Sequence, residues 1–209
     1  MGLDRYPVPA SRHRAEDVIQ RSRFITTVAR APSSDDAHAF VQSIRDEFPD
    51  ATHNCWAFVA GPPGSSAQVG MSDDGEPRGT AGRPMLTALL HGGVGEIAAV
   101  ITRYYGGTKL GKGGLGRAYA GGVTHALESL PRAQRVTREQ VTVELAHGDA
   151  PGAHRVFERL GARMLAEVWG TGVTYRISVP SSALEALSQE MAALTRGQAR
   201  VSTPEAGDT

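Results

Sequence analysis

One glycine-rich stretch carries both lysines of the chain, Lys109 and Lys112, between Arg103 and Arg117. The chain has 22 Lys and Arg residues, and every one of them outside this stretch is an arginine. Glycine-rich loops expose backbone N–H groups, and lysine adds a compact, mobile ammonium. Phosphates and other anions are commonly held in this way. We therefore predict an anion-binding site in this stretch, which we call the glycine loop (residues 103–117).

Two nucleotide-binding motifs nearly match the glycine loop. Residues 106–112 match the G-x-x-x-x-G-K part of a P-loop, but Gly113 stands where Ser or Thr would hold Mg²⁺. Gly111, Gly113 and Gly116 match G-x-G-x-x-G, yet Glu128 comes too soon to be the acid of a Rossmann site. Both nucleotide-binding interpretations are therefore disfavoured. A structural role, in which the glycines only permit tight turns, stays open.

Three acids upstream, Asp73, Asp74 and Glu76, form a compact acidic loop (residues 72–77), whereas the glycine loop contains no acid. The chain has zero formal net charge, so this separation of charge is local. We expect the acidic loop to pack near the glycine loop and its carboxylates to orient Arg103 or Arg117. Divalent-cation binding is the alternative, although three close carboxylates without histidine define no coordination geometry.

A third group of polar residues lies on a predicted strand. His53 and Cys55 are two positions apart and therefore share a face, which would permit Cys–His chemistry. Cys55 precedes Trp56 in an apolar segment, and free cysteine is commonly buried, so we interpret Cys55 as structural. His53, Asn54 and Arg83 are expected to support the polar surface of the acidic loop. No residue is assigned a catalytic or metal-binding role, and no cofactor is predicted.

Composition limits the classes of protein. With 209 residues, 40% hydrophobic and 21% charged, the chain is typical of globular proteins. Zero net charge gives no argument for non-specific binding to nucleic acid or membranes, so any such binding requires a local patch. The single cysteine excludes an internal disulfide, and neither a signal-peptide core nor a membrane-spanning segment is found. We expect a cytoplasmic protein; its oligomeric state is left open.

Alternating strands and helices must position these residues. Ser33 and Asp36 have capping-box spacing, and Phe40, Ile44 and Phe48 form one apolar face of the helix that follows. A second helix has Pro84 in its first turn, and a third helix follows the glycine loop. The predicted strands before Pro131 cover residues 23–28, 54–59 and 97–102.

After Pro131 the hydrophobic pattern predicts the order β-α-β-β-α-β, which is the ferredoxin-like arrangement. The strands are expected around Val141, at 163–169, from Val173 and at 198–202. We therefore predict an α+β protein of two domains, residues 1–132 and 133–209, with a frayed tail from about residue 203.

A set of ordered segments resembles a known family. They are residues 22–25, 51–57, 72–77, 79–84 and 102–107, followed by Leu110-Gly111 and residues 113–115. Over residues 3–130 the chain resembles the YigZ/IMPACT family, and the remainder resembles the ferredoxin-like C-terminal domain of bacterial YigZ-type members. The resemblance implies a ribosomal protein S5 domain 2-like fold for the first domain. It also implies nucleic-acid or ribosome binding and a role in the regulation of translation.

The residues and the resemblance both indicate the glycine loop. We predict that it binds RNA or the ribosome, with Tyr104 or Tyr105 stacking on a base and the other tyrosine buried. One alternative is an enzyme for a small phosphorylated or peptide substrate, such as a metal-dependent hydrolase; another is a regulator that binds a protein partner. The predicted anion-binding residues are Arg103, Tyr104, Lys109, Lys112 and Arg117, supported by His53, Asn54, Asp73, Asp74, Glu76 and Arg83.

Overall fold

Two compact units make up the chain in the computed structural model, which describes residues 5–203. The N-terminal domain is Tyr6–Arg135, and the C-terminal domain begins at Val136. Helices and strands occur in both, so the predicted α+β class and two-domain arrangement are confirmed. Most of the predicted frayed tail, from residue 204, lies outside the described residues.

A five-stranded sheet with antiparallel neighbours, in the order β2-β3-β6-β4-β5, forms the centre of the N-terminal domain. Strands β1 and β7 pair in a separate two-stranded sheet. The elements are β1 Arg5–Pro9, β2 His13–Ile19, β3 Ser22–Arg30, α1 Ser34–Glu47, β4 His53–Val59, β5 Val69–Ser72, α2 Gly82–His91, β6 Ile97–Tyr104, α3 Gly111–Glu128 and β7 Arg132–Val136.

The central strand β6 is apolar without alternation because helices cover both faces of the sheet. Ile97, Ala99 and Ile101 belong to the core that includes residues of α2 and α3. Ala98 and Val100 belong to the clusters that include residues of α1 on the other face. This buried strand carries Arg103 near its end and delivers the chain into the glycine loop.

Helix α1 begins at the capping box expected from its sequence. The Asp36 N–H donates to Ser33 Oγ at 3.1 Å, and the Ser33 N–H donates to Asp36 Oδ2 at 3.2 Å. The expected apolar face of Phe40, Ile44 and Phe48 packs into the core, and the buried residues of the helix are Ala37, Val41 and Ile44. The two phenylalanines are only half-buried.

Helix α3 begins inside the glycine loop, at Gly111, and not after the loop as its glycines suggest. Lys112 and Gly113 therefore lie in the first helical turn. Glycine disfavours helix by about 1 kcal/mol relative to alanine. Burial of Leu115, Tyr119 and Val123 against the sheet offsets this cost, which is a tertiary effect that local propensity does not contain.

The C-terminal domain is a four-stranded antiparallel sheet in the order β11-β8-β10-β9. With two helices, this order is the predicted ferredoxin-like β-α-β-β-α-β arrangement. Alternate β8 and β10 residues, among them Val143 and Tyr175, form its core with Leu187 and Met191 of α5. The elements are β8 Arg138–Leu145, α4 Ala150–Arg159, β9 Arg163–Trp169, β10 Val173–Pro180, α5 Leu184–Thr195 and β11 Arg200–Ser202.

None of the helices in residues 5–203 has the length and apolar character that crossing a bilayer requires.

Candidate functional site

The glycine loop and the acidic loop meet at a cavity of about 360 Å³ in the N-terminal domain. Its wall is formed by the end of β6, by the loop that follows and by the first turns of α3. We call it the glycine-loop cavity. The residues that matter for its chemistry are Glu76, Arg103, Tyr105, Lys109, Gly111 and Lys112.

A buried ion pair lines this cavity. Arg103 Nη1 donates to Glu76 Oε1 at 2.6 Å, and the two side chains are only 6% and 3% exposed. The Tyr119 hydroxyl donates to the same carboxylate oxygen at 2.8 Å, and Arg103 Nη2 donates to Ser22 Oγ at 3.2 Å. Buried charges require such pairing. The acidic loop therefore orients Arg103, as its sequence predicts.

One nitrogen of Arg103 has no partner among the described residues. Its Nε is buried and has no hydrogen-bond partner within residues 5–203. The guanidinium lies 5.3 Å from the ring centre of Phe24 and 5.5 Å from that of Tyr105. Arg103 is therefore a fixed, nearly buried cation between two aromatic rings, and not the freely exposed phosphate contact that the sequence suggests.

The two lysines are the mobile charges of the cavity. Lys109 and Lys112 are both exposed, and neither ammonium has an ion-pair partner in the described part of the chain. Helix α3 has no side-chain cap at Leu110 and no acid in its first turn. Its first backbone N–H groups and the positive end of its dipole therefore reinforce the lysines.

The aromatic ring at the cavity is Tyr105, which is 47% exposed. Tyr104 is displaced from the site: its hydroxyl donates to Asp50 Oδ1 at 2.9 Å, and Arg23 lies 6.0 Å from its ring centre. Desolvation and the bond to Asp50 raise the pKa of Tyr104. Since neighbours on a strand point to opposite faces, only one of the two tyrosines reaches the cavity.

Two predicted cationic residues do not line the glycine-loop cavity. Arg117, further along α3, lines a second cavity of about 230 Å³ with Ile19 and Gln20. Arg83 is exposed in the first turn of α2. The predicted set of basic residues is therefore divided between at least two places on the surface.

Asp73 holds the acidic loop to α2. Its Oδ1 accepts the N–H groups of Ala81 and Gly82, each at 2.9 Å, and its Oδ2 accepts that of Gly79 at 2.7 Å. Burial raises the pKa of Asp73, but these three N–H groups outweigh burial and leave the pKa below its usual value. The residue therefore acts as a side-chain cap for the start of α2.

Replacing Asp73 with alanine is expected to destabilise the protein by about 2 kcal/mol at pH 7, because three charge-assisted bonds are lost. The folded pKa lies below the unfolded value of 3.8, so the stabilisation is present above that pH and is lost as the pH falls through the folded pKa. Urea denaturation of the wild type and of Asp73→Ala should therefore show a difference in the free energy of unfolding that shrinks below pH 4. Asp73→Asn is the control: it keeps one acceptor, so its loss at pH 7 should be smaller than that of Asp73→Ala.

Asp74 and His53 connect the acidic loop to β4. Asp74 Oδ1 accepts from Arg45 at 2.6 Å, and Oδ2 accepts the Asn54 N–H at 2.7 Å. His53 Nδ1 lies 2.8 Å from the Asp74 carbonyl, which can only accept, so this nitrogen carries the proton. His53 Nε2 then faces Glu76 Oε2 at 4.0 Å.

Asn54 and Cys55 are internal. The Asn54 amide oxygen accepts from the Thr102 hydroxyl at 2.7 Å, and the Cys55 thiol donates to the Asp73 carbonyl at 2.9 Å. Burial raises the pKa of Cys55 to about 12. The thiol therefore stays protonated at neutral pH and is a poor nucleophile, in keeping with a structural role.

The carboxylates of the acidic loop do not converge on a common point. Asp73 binds backbone N–H groups, Asp74 binds Arg45, and Glu76 binds Arg103. Within residues 5–203, no group of three or more His, Cys, Asp or Glu side chains has an arrangement that could hold a metal ion.

Sequence reasoning missed two polar members of the site. Tyr119 belongs to the apolar face of α3, yet its hydroxyl contacts Glu76. Ser22 is fully buried, and its Oγ accepts from Arg103 and from the Gly106 N–H. The available signal for Tyr119 is general: a buried tyrosine hydroxyl needs a polar partner. For Ser22, a small polar residue at the start of a strand, the signal is its place at the head of the first family segment, residues 22–25.

Residues 20–127 match the family model described as the Impact N-terminal domain. A relative from Escherichia coli (strain K12), IMPACT family member YigZ, is 40% identical over 195 residues, which cover 93% of this chain and 96% of the relative. The chain belongs to the IMPACT family. Another IMPACT family member, from Haemophilus influenzae (strain ATCC 51907 / DSM 11121 / KW20 / Rd), is 39% identical over 203 residues, or 97% of this chain and 98% of the relative.

The second domain of this IMPACT family member also has known relatives. Residues 143–198 match the model described as Domain of unknown function (DUF1949). A solved structure, described as a crystal structure of an hypothetical protein, is 38% identical, covers 98% of this chain and 99% of its own, and superposes with a TM-score of 0.72. The family expected from the ordered segments is thereby confirmed over both domains.

Proposed function

We propose that this IMPACT family member binds RNA, free or within the ribosome, through the glycine-loop cavity, and that it regulates translation in the cytoplasm. One observation carries the proposal. The unpaired ammoniums of Lys109 and Lys112 meet the uncapped start of α3 at a single cavity. A concave site with several unneutralised positive groups favours an anionic ligand.

The exposed Tyr105 ring favours a nucleic acid over a simple anion. It lines the same cavity as the two lysines. Stacking of a base on an aromatic side chain contributes about 1–3 kcal/mol and tolerates any base. A ligand that combines phosphates with planar rings therefore uses both features. Because the chain has zero formal net charge, this binding depends on the local arrangement of charge.

Arg103 and Glu76 have a supporting role in this proposal. Their mutual ion pair neutralises both charges and holds the end of β6 against α3. They position the cavity wall, and the lysines make the phosphate contacts. The same arrangement gives the hydrolase alternative no specific support, because the carboxylates of the acidic loop are committed to other partners.

The Lys109→Ala/Lys112→Ala variant tests this function. Each phosphate contact on single-stranded RNA contributes about −0.7 to the slope of log affinity against log salt. Loss of two contacts should therefore weaken binding and make the slope less negative by about 1.4. Fluorescence anisotropy with a short single-stranded RNA over a series of salt concentrations measures the affinity and its salt slope. The Lys109→Arg/Lys112→Arg variant keeps both charges and should retain most of the slope.

A matched control removes the same charge elsewhere. Arg155 and Arg176 are exposed in the C-terminal domain, so Arg155→Ala/Arg176→Ala should leave the slope unchanged. Equal affinity and slope in the double-lysine variant and the wild type would exclude this cavity as the RNA site. If the lysines are instead needed to retain an acidic protein after nuclease treatment, the protein-regulator alternative is favoured.

A further inference from the structure

We propose that the glycine-loop cavity recognises a terminal phosphate of an RNA strand, a phosphate monoester, in preference to the internal phosphodiesters. This inference rests on the proposed RNA-binding function and names the part of the ligand that enters the cavity.

The charge of the cavity favours a dianion. Lys109, Lys112 and the start of α3 supply positive charge that no described acid neutralises, whereas the charge of Arg103 is compensated by Glu76. A phosphate monoester carries about −1.5 to −2 at neutral pH, and an internal diester carries only one negative charge. Two ammoniums and a helix N-terminus at one place therefore match the monoester better.

Two unpaired basic side chains meet at one cavity. Proteins that bind the interior of a single strand distribute basic groups along a groove. Here the two lysines share a cavity of about 360 Å³, which Tyr105 also lines. Arg23 is paired with Glu16 and so does not extend the site as a free cation, and Arg117 lines a different cavity.

Arg103, beside the lysines, also has a donor without a partner in the described part of the chain. Arg103 is more than nine-tenths buried and lines the cavity, and its Nε has no acceptor among the described residues. Buried donors without a partner are rare in native proteins, and a ligand oxygen is a natural acceptor for this one.

The test compares short single-stranded RNAs of one sequence that carry a 5′-phosphate, a 3′-phosphate or hydroxyls at both ends. Anisotropy titrations of the wild type should show that either the 5′-phosphorylated or the 3′-phosphorylated RNA binds about tenfold more tightly than the unphosphorylated RNA. In Lys109→Ala/Lys112→Ala this preference should disappear. In Arg155→Ala/Arg176→Ala it should remain.

Equal binding of the three RNAs would overturn end recognition and leave the proposed RNA-binding function intact. Failure of all three to bind would overturn the proposed function itself. A mononucleotide that binds as tightly as the phosphorylated RNA would also overturn the inference, because the site would then take a small ligand. Both lysines are exposed, so circular dichroism should show the double-lysine variant folded as the wild type is.

Discussion

Replacement of Glu76 with alanine should destabilise the N-terminal domain by about 3–5 kcal/mol, because it leaves the buried Arg103 without its counter-ion. The two side chains are only 6% and 3% exposed, so water cannot take the place of the carboxylate without rearrangement. The Tyr119 hydroxyl loses its acceptor at the same time. Urea denaturation, followed by circular dichroism at pH 7, measures the loss.

A set of variants separates the ion pair from the cavity that truncation creates. Glu76→Gln retains the shape and one acceptor, so its loss should be smaller. In Glu76→Ala/Arg103→Ala, the loss should be smaller than the sum of the two single losses, because neither charge is then left alone. Glu128→Ala removes an exposed acid near the end of α3 and should change stability by less than about 0.5 kcal/mol. A loss below about 1 kcal/mol in Glu76→Ala would contradict the assignment of a tight buried pair.

Gly106→Ala should have the second largest effect, a destabilisation of about 3 kcal/mol. A Cβ at this position would overlap the backbone carbonyl of Arg21 and come within 2.5 Å of the Ser22 nitrogen. Backbone atoms cannot move aside as a flexible side chain can. Ser22 Oγ also accepts from the Gly106 N–H and from Arg103, so the displacement should reach the cavity wall.

The same substitution inside α3 provides the control. A Cβ at Gly121 would meet nothing within 4 Å, and the position lies inside the helix. Gly121→Ala should therefore stabilise the protein by about 0.5–1 kcal/mol. Thermal melts should therefore show a lower melting temperature than the wild type for Gly106→Ala and a higher one for Gly121→Ala. An unchanged melting temperature for Gly106→Ala would show that the loop does not pack against Arg21.

Much of the fold is accessible from short stretches of sequence. The capping box at Ser33, the uninterrupted apolar strand β6 and the ferredoxin-like order of the C-terminal domain all follow from local patterns. These patterns are reliable because backbone hydrogen bonding and the period of burial depend on neighbours within a few residues. Strands β2 and β5 are not predicted, because the apolar residues of β2 do not alternate along the sequence and β5 has only four residues.

The location of the candidate site is also predicted from a short stretch of sequence, whereas the arrangement of its side chains is not. Two lysines among glycines identify the loop, because residue type alone sets its charge and its exposed N–H groups. Whether Arg103 is a surface contact or half of a buried pair depends on Glu76, 27 positions earlier in the chain. The choice of Tyr105 over Tyr104 at the cavity depends on which face of β6 meets α3. Those outcomes come from packing between distant segments, where desolvation decides which charges must pair and which remain free to bind a ligand.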